Sequence, residues 1–229
     1  MNWNTTLKHF FPGVKLTEVQ INNLKFFLEK LDQWNKKINL TGIKDRNQMF
    51  GKIVLDAMAP LSIPGIIPHG RGLDIGSGAG IPGVIWAICL PEVVVHSIDK
   101  REKKIMFQKI TVSDIKLDNF FPSVMDIFEL NVREDKQASY DFILSRAWNQ
   151  LPQLLSASLP LIKKEGRIFA WKGEKWEEEL KSVPQDIISP FSLEFNIPYT
   201  FDTYNTGGRV MVFKKDEPPR KVAIDELHP

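Results

Sequence analysis

Apolar residues recur at helical spacing between Leu16 and Ile38, through Val19, Ile21, Leu24, Phe27, Leu28, Leu31 and Trp34, and Thr17 stands where an N-cap belongs. Met49, Ile53, Val54 and Ala57 repeat the pattern and predict a second helix over residues 47–59, broken by Pro60, Pro64 and Pro68. From Gly72 the pattern changes. Short apolar runs suited to strands alternate with helical stretches, the mark of a parallel, doubly wound α/β sheet. The strands are predicted before Gly76 and over residues 93–98, 120–124, 142–145 and 166–171; helices fall at 84–88, 103–110 and 151–162. Pro122 lacks an N–H and assigns the third strand to a sheet edge. Residues 191–201 and 210–215, joined by a polar glycine-containing segment, read as an antiparallel hairpin. The expected organisation is a helical cap over 1–68, the sheet domain over 69–215, and a frayed Pro- and charge-rich tail over 216–229.

The most specific local signal is Leu73-Asp74-Ile75-Gly76-Ser77-Gly78-Ala79-Gly80-Ile81-Pro82-Gly83, a glycine-rich turn between a strand and a helix. Glycines leave no side chain in the way of a ligand, and exposed N–H groups at a helix start favour an accepting group. Gly78, Gly80 and Gly83 fit the dinucleotide pattern G-x-G-x-x-G, while Gly76, Gly78 and Gly80 fit G-x-G-x-G. Asp74 separates the two. A pyrophosphate is repelled by a carboxylate in the turn, whereas S-adenosylmethionine (SAM) has no phosphate and carries an ammonium that a carboxylate attracts, directly or through water. The turn therefore predicts SAM, with a ligand-free tight turn as the bland alternative.

Composition narrows the setting. A length of 229 residues suits one α/β domain with an extension, and a net charge of +2 demands no polyanionic partner, so any nucleic-acid contact must come from local clustering. The single cysteine, Cys89, falls in an apolar run and excludes a disulfide framework or a Cys-rich metal site. The N-terminus shows no signal-peptide pattern and no apolar run is long enough to span a bilayer, which predicts a soluble cytoplasmic protein.

Asp99 follows the second strand about twenty residues after the turn, where an acid can accept ribose hydroxyls; a surface acid before a basic helix is the alternative. Asp126 can meet an adenine amine or cap a helix, and Ile127 and Phe128 can line an adenine face or belong to the core. The run Lys100-Arg101-Glu102-Lys103-Lys104 reads either as an RNA contact or as a solvated helix face.

Trp34-Asn35-Lys36-Lys37-Ile38-Asn39-Leu40-Thr41, Leu55-Asp56, the glycine turn with Pro82-Gly83, Ser145-Arg146-Ala147 and Trp171-Lys172-Gly173 occur in an order and spacing that resembles the bacterial RsmG (GidB) family of 16S ribosomal RNA guanine-N7 methyltransferases. The resemblance covers residues 24–215. It implies a Rossmann-like class I SAM-dependent methyltransferase fold. It also implies small-subunit rRNA as partner and SAM contacts from Gly76, Ile81, Ile127, Phe128 and Arg146. The chain departs from the family where Lys52-Ile53 stands for Arg-His, Ala57 follows Asp56 in place of Ser, and Lys100-Arg101-Glu102-Lys103-Lys104 stands after the second strand in place of Ser-Leu-Gly-Lys-Arg.

Guanine N7 is an unprotonated lone pair, so its methylation needs alignment and no general base. Arg146 and Lys172 are the candidates nearest the chemistry. Asn39, Lys52, Lys103, Lys104 and Arg209 are candidates for holding O6 and nearby phosphates. An Asn/Asp-Pro-Pro-aromatic motif for an exocyclic amine is absent, and no His/Cys/carboxylate cluster predicts a metal. A monomer acting on rRNA is expected. The same fold acting on another substrate, or a SAM- or rRNA-binding relative without catalysis, remains the alternative.

Overall fold

The computed structural model describes residues 2–216, apart from the side chain of Asn47, so the tail expected over 216–229 lies, from residue 217 on, outside the described residues. Seven strands form one sheet: β1 Gly70–Ile75, β2 Val93–Asp99, β3 Phe120–Val124, β4 Tyr140–Arg146, β5 Ile162–Lys172, β6 Phe191–Phe201 and β7 Thr206–Lys215. Their order is β3-β2-β1-β4-β5-β7-β6. The first five run parallel, and β7 lies antiparallel to β5 and β6. β3 is an edge strand, as Pro122 requires.

The N-terminal helices are α1 Trp3–Phe10 and α2 Glu18–Asn35, followed by a helical segment from Arg46 to Ser62. Thr17 and Gln20 form a reciprocal capping box at the start of α2. In the later segment, α3 (Arg46–Met49) passes into a π-helical turn over Phe50–Leu55, then α4 (Asp56–Met58) and a 3₁₀ turn over Ala59–Ser62. Leu24, Phe27, Leu31, Phe50, Ile53 and Val54 from these helices share one core with Val84, Trp86, Val95 and Phe142 of the sheet domain. The opposite face buries Ile75, Ile98, Ile143, Leu154 and Met211.

The remaining helices are α5 Gly83–Cys89, α6 Glu102–Asp114, α7 Ile127–Asn131, α8 Leu151–Ser158, α9 Trp176–Lys181 and α10 Gln185–Ile188. Apolar periodicity did not reveal α1, α7, α9 or α10, whose short spans carry too few turns to show it. The helix expected over 151–162 stops at Ser158, because Pro160 cannot continue it, and β5 already begins at Ile162. β7 begins at Thr206 rather than Val210, since Gly207 and Gly208 pair with Thr200 and Tyr199.

Candidate active site

β1 delivers the glycine turn to the carboxyl end of the sheet. Gly76, Gly78 and Gly80 have φ of +62°, +59° and +87°, left-handed values that L side chains rarely adopt. A Cβ on Gly76 would also lie 2.1 Å from the Trp148 ring. The turn's N–H groups, expected to face a ligand, are largely used internally. Ser77 donates to Ile98 O (3.1 Å), and Gly80 and Ile81 donate to Ser77 O at 2.9 and 3.0 Å. Gly78 donates to Asp99 Oδ2 and Gly83 to Asp74 Oδ2, both at 2.9 Å. Asp74 lies wholly buried beneath the turn, where it accepts from the first N–H of α5. Burial pushes its carboxyl up to about 8, against the pull of the Gly83 hydrogen bond. Its second oxygen, Oδ1, has no hydrogen-bond partner.

Gln108 holds the turn from the other side. This fully buried amide on α6 donates to Ser77 Oγ (2.9 Å) and Gly78 O (2.7 Å) and accepts from Ser97 Oγ (2.8 Å). Sequence reasoning passed over it. The available signal was a polar residue between Ile105 and Val112 on the buried face of the helix.

A cavity of about 140 Å³ opens beside the turn, with Gly76, Asp99, Ile127, Ala147 and Trp148 in its wall. Asp99 sits at the end of β2, its Oδ1 accepting from Arg101 N at 2.8 Å. Each carboxylate oxygen retains acceptor capacity toward the cavity. Ile127 is buried in that wall, whereas Phe128 is 58% exposed and lies outside it, under the Lys100 ammonium. Asp126 caps α7 through Phe128 N (3.1 Å) and pairs with Lys100 at 2.6 Å. Lys104 is half-buried near Gly78; burial and Arg101 lower its ammonium, with Asp99 opposing. The donor set fits the adenosine part of SAM: a buried acid, an apolar wall, and a glycine where any side chain would collide.

A second cleft of about 270 Å³ adjoins the first and shares Ala147 with it. Asp56, Arg146, Asn149, Lys172, Glu179 and Tyr199 lie in its wall. Arg146, at the end of β4, pairs through Nε with Asp56 Oδ2 (2.8 Å) and donates through Nη2 to Lys52 O (2.6 Å). That carbonyl belongs to the π-helical turn, a departure from regular helix of the kind often found at functional sites. Tyr199 donates its hydroxyl to Asp56 Oδ1. Gly208 permits this, since a Cβ there would lie 2.7 Å from the Tyr199 oxygen. Burial raises the Asp56 carboxyl, and Arg146 and Tyr199 pull it back. Lys172 is clamped between Glu179 Oε2 (2.7 Å) and Asn149 O (3.2 Å). Ala147 and Asn149 both have positive φ, at 54° and 87°, so the loop after β4 carries backbone strain beside both cavities. Tyr199 left no local sequence signal, because strand pairing brings it to Asp56 from far along the chain, and Glu179 meets Lys172 only through the placement of the short helix α9.

The other sequence candidates lie apart. Asn39 and Lys103 are exposed, outside both cavity walls. Lys52 reaches Gln48 at 3.3 Å. Arg209 bonds Asn196 (2.6 Å) and stacks 4.1 Å from the centre of the Trp176 ring. Cys89 is buried in α5, where burial pushes its thiol up to about 12. Among the described residues, no group of three or more His, Cys, Asp or Glu is placed to hold a metal, and no helix is long and apolar enough to cross a membrane.

A family model described as GidB, rRNA small subunit methyltransferase G, matches residues 20–200. Ribosomal RNA small subunit methyltransferase G of Geobacter sp. (strain M21) is 35% identical over 195 residues, covering 83% of this chain and 88% of the relative. The protein of the same name from Streptococcus agalactiae serotype III is 32% identical over 216 residues, covering 91% of this chain and 89% of the relative. Among solved structures, P. horikoshii TYW2 in complex with MeSAdo shares the fold. Its TM-score is 0.53 at 15% identity, over 72% of this chain and 61% of that one.

Proposed function

Because the chain belongs to the rRNA small subunit methyltransferase G (GidB) family, we propose that it methylates N7 of a guanine in 16S rRNA. It is a SAM-dependent rRNA methyltransferase with a Rossmann-like class I fold. The observation that carries the finer reading is the meeting of two cavities at Ala147. One has the donor set for an adenosine, and the other carries Arg146.

Bound in the first cavity, SAM supplies a methyl group on a sulfonium centre. Asp99 accepts the ribose hydroxyls, and Ile127 covers the adenine. Gly76, Gly78, Gly80 and Ile81 give the cofactor close approach to the backbone. Asp74 acts through the turn, by fixing Gly83, and thereby shapes the cofactor site. Arg146, held by Asp56 and Lys52 O, offers a guanidinium edge to guanine O6. N7 gains the methyl group and a positive charge and loses no proton, so no side chain must accept one. Orientation is then the main contribution of the site, and the Tyr199–Asp56–Arg146 chain supplies it. Lys172 keeps the strained loop in place through Asn149 O. Lys52, Lys103, Lys104, Asn39 and Arg209 contact the RNA around the target. Phe128 borders the cofactor site from outside its wall. The protein acts in the cytoplasm as a monomer and uses no metal.

The test is transfer from labelled SAM to small subunits isolated from cells lacking the enzyme, with the product mapped as N7-methylguanosine. Arg146→Ala should retain SAM affinity within a few-fold and lose most of the single-turnover rate. Methylation at another atom, or full activity of the variant, refutes the reading.

A further inference from the structure

One part of the sheet remains bare. On the face covered elsewhere by α7 and α8, the connection from β3 to β4 runs through α7, whose five residues span only about 7–8 Å. The amino-terminal halves of β1, β2 and β3 are left as the floor of a groove of about 480 Å³. Arg71, Val94 and Phe121 stand at the second position of their strands, and Arg71–Val94 and His96–Phe121 are register neighbours. Phe121 is 53% exposed and Val94 38%. His96 stacks on Tyr140 at 6.2 Å between ring centres and 21° between planes, and its Nδ1 lies 2.8 Å from the Tyr140 hydroxyl.

The groove is also positively charged. Arg71, Arg133 and Lys136 are in its wall. Asp135 pairs with Arg133 (3.1 Å) and Lys136 (2.8 Å) but is itself exposed, while the Arg71 side chain has no acidic partner among the described residues. Burial, with the three cations adding to it, lowers His96 to about 4, so its ring is neutral at physiological pH.

We propose that this groove is a second RNA-binding site, in which Phe121 stacks on a base of single-stranded RNA and Arg71, Arg133 and Lys136 hold the adjoining phosphates. The chemistry selects this occupant. Flat aromatic surface on a bare sheet, ringed by cations, is the combination that binds unpaired nucleotides. An acidic peptide would use the cations and leave the ring idle; an apolar peptide would use the ring and leave the cations unpaired. Met125 borders both the groove and the cofactor cavity. Strand geometry sets the centre of the groove roughly 15 Å from the glycine turn, too far for the target base itself. It therefore grips rRNA flanking the modified nucleotide. The inference rests on the rRNA reading above and adds a contact distinct from the catalytic cleft.

The test uses a fluorescent eight-nucleotide oligoadenylate and the whole protein. Phe121→Ala should weaken binding about 5- to 160-fold, the range for loss of one stacked base. Arg71→Glu with Arg133→Glu should lower the salt slope of binding by about 1.5, near 0.7 per phosphate contact. All variants should keep the SAM affinity and melting temperature of the parent, since these side chains are exposed. On small subunits they should raise KM and leave kcat within about two-fold. Unchanged oligonucleotide affinity and salt slope in every variant overturns the proposal. So does a change confined to self-association in sedimentation, which would make the groove an interface between copies. If the parent methylates no RNA yet its oligoadenylate binding depends on Phe121, the catalytic reading fails and the groove stands. If methylation proceeds with unchanged KM in the variants, the groove fails and the catalytic reading stands.

Discussion

Asp74→Asn tests whether the acid beneath the glycine turn is neutral in the folded protein. Burial raises its carboxyl from 3.8 to about 8. Below about pH 4 the group is protonated in folded and unfolded chains alike, and its contribution to stability is fully present. Between pH 4 and 8 the unfolded chain has released the proton and the folded one has kept it, so each pH unit removes about 1.4 kcal/mol of stability. Above the folded value the loss is complete, at up to about 6 kcal/mol for a shift of this size. Asparagine can still accept from Gly83 N–H through its carbonyl. Its amide nitrogen then takes the place of Oδ1, which has no partner now, so the variant carries an unmet donor at every pH, as the protonated acid does below about pH 8. The variant should therefore match the parent to within about 1–3 kcal/mol near about pH 4 and gain on it steadily as pH rises to about 8. Urea unfolding of both proteins across that range, with slopes checked for two-state behaviour, measures the difference. A stability difference that stays constant with pH would show that Asp74 is ionised in the fold and would refute the reasoning.

Three further outcomes follow from the site. Asp99→Ala should weaken SAM binding by about 1–3 kcal/mol through loss of charged hydrogen bonds, read by calorimetric titration; unchanged affinity removes Asp99 from the site. Gly76→Ala combines a φ of +62° with a Cβ 2.1 Å from Trp148, so it should destabilise the fold by about 1–3 kcal/mol and abolish SAM-induced thermal stabilisation. A variant that melts and binds like the parent would show that the turn can relax. Tyr199→Phe removes the donor to Asp56, and should cost about 1.5–3 kcal/mol of stability and slow methyl transfer at saturating RNA while SAM affinity holds. A lower rate with lost SAM affinity would place Tyr199 in cofactor binding instead.

The order and type of the main elements were legible from local pattern. Thr17 marked the start of α2, Pro122 sent β3 to an edge, and the alternation of strands and helices after Gly72 led to the doubly wound sheet. Three glycines and Asp74 marked the strand–helix turn, because only a backbone with positive φ and no side chains makes that shape. What Asp74 does there was decided by burial: packing left no water around the carboxyl, so its own turn and helix became its partners. Gln108 is polar by composition and becomes a clamp only once α6 lies against β2. Tyr199 comes from 143 residues beyond Asp56, across a hairpin whose register no local rule sets. Phe121 and Arg133 are ordinary in sequence; they share a groove because α7 is too short to cover the sheet. Local sequence fixes φ, capping and strand-or-helix preference, which depend on near neighbours. Burial, register and the meeting of distant side chains depend on how the whole chain packs, and the chemistry of both cavities resides there.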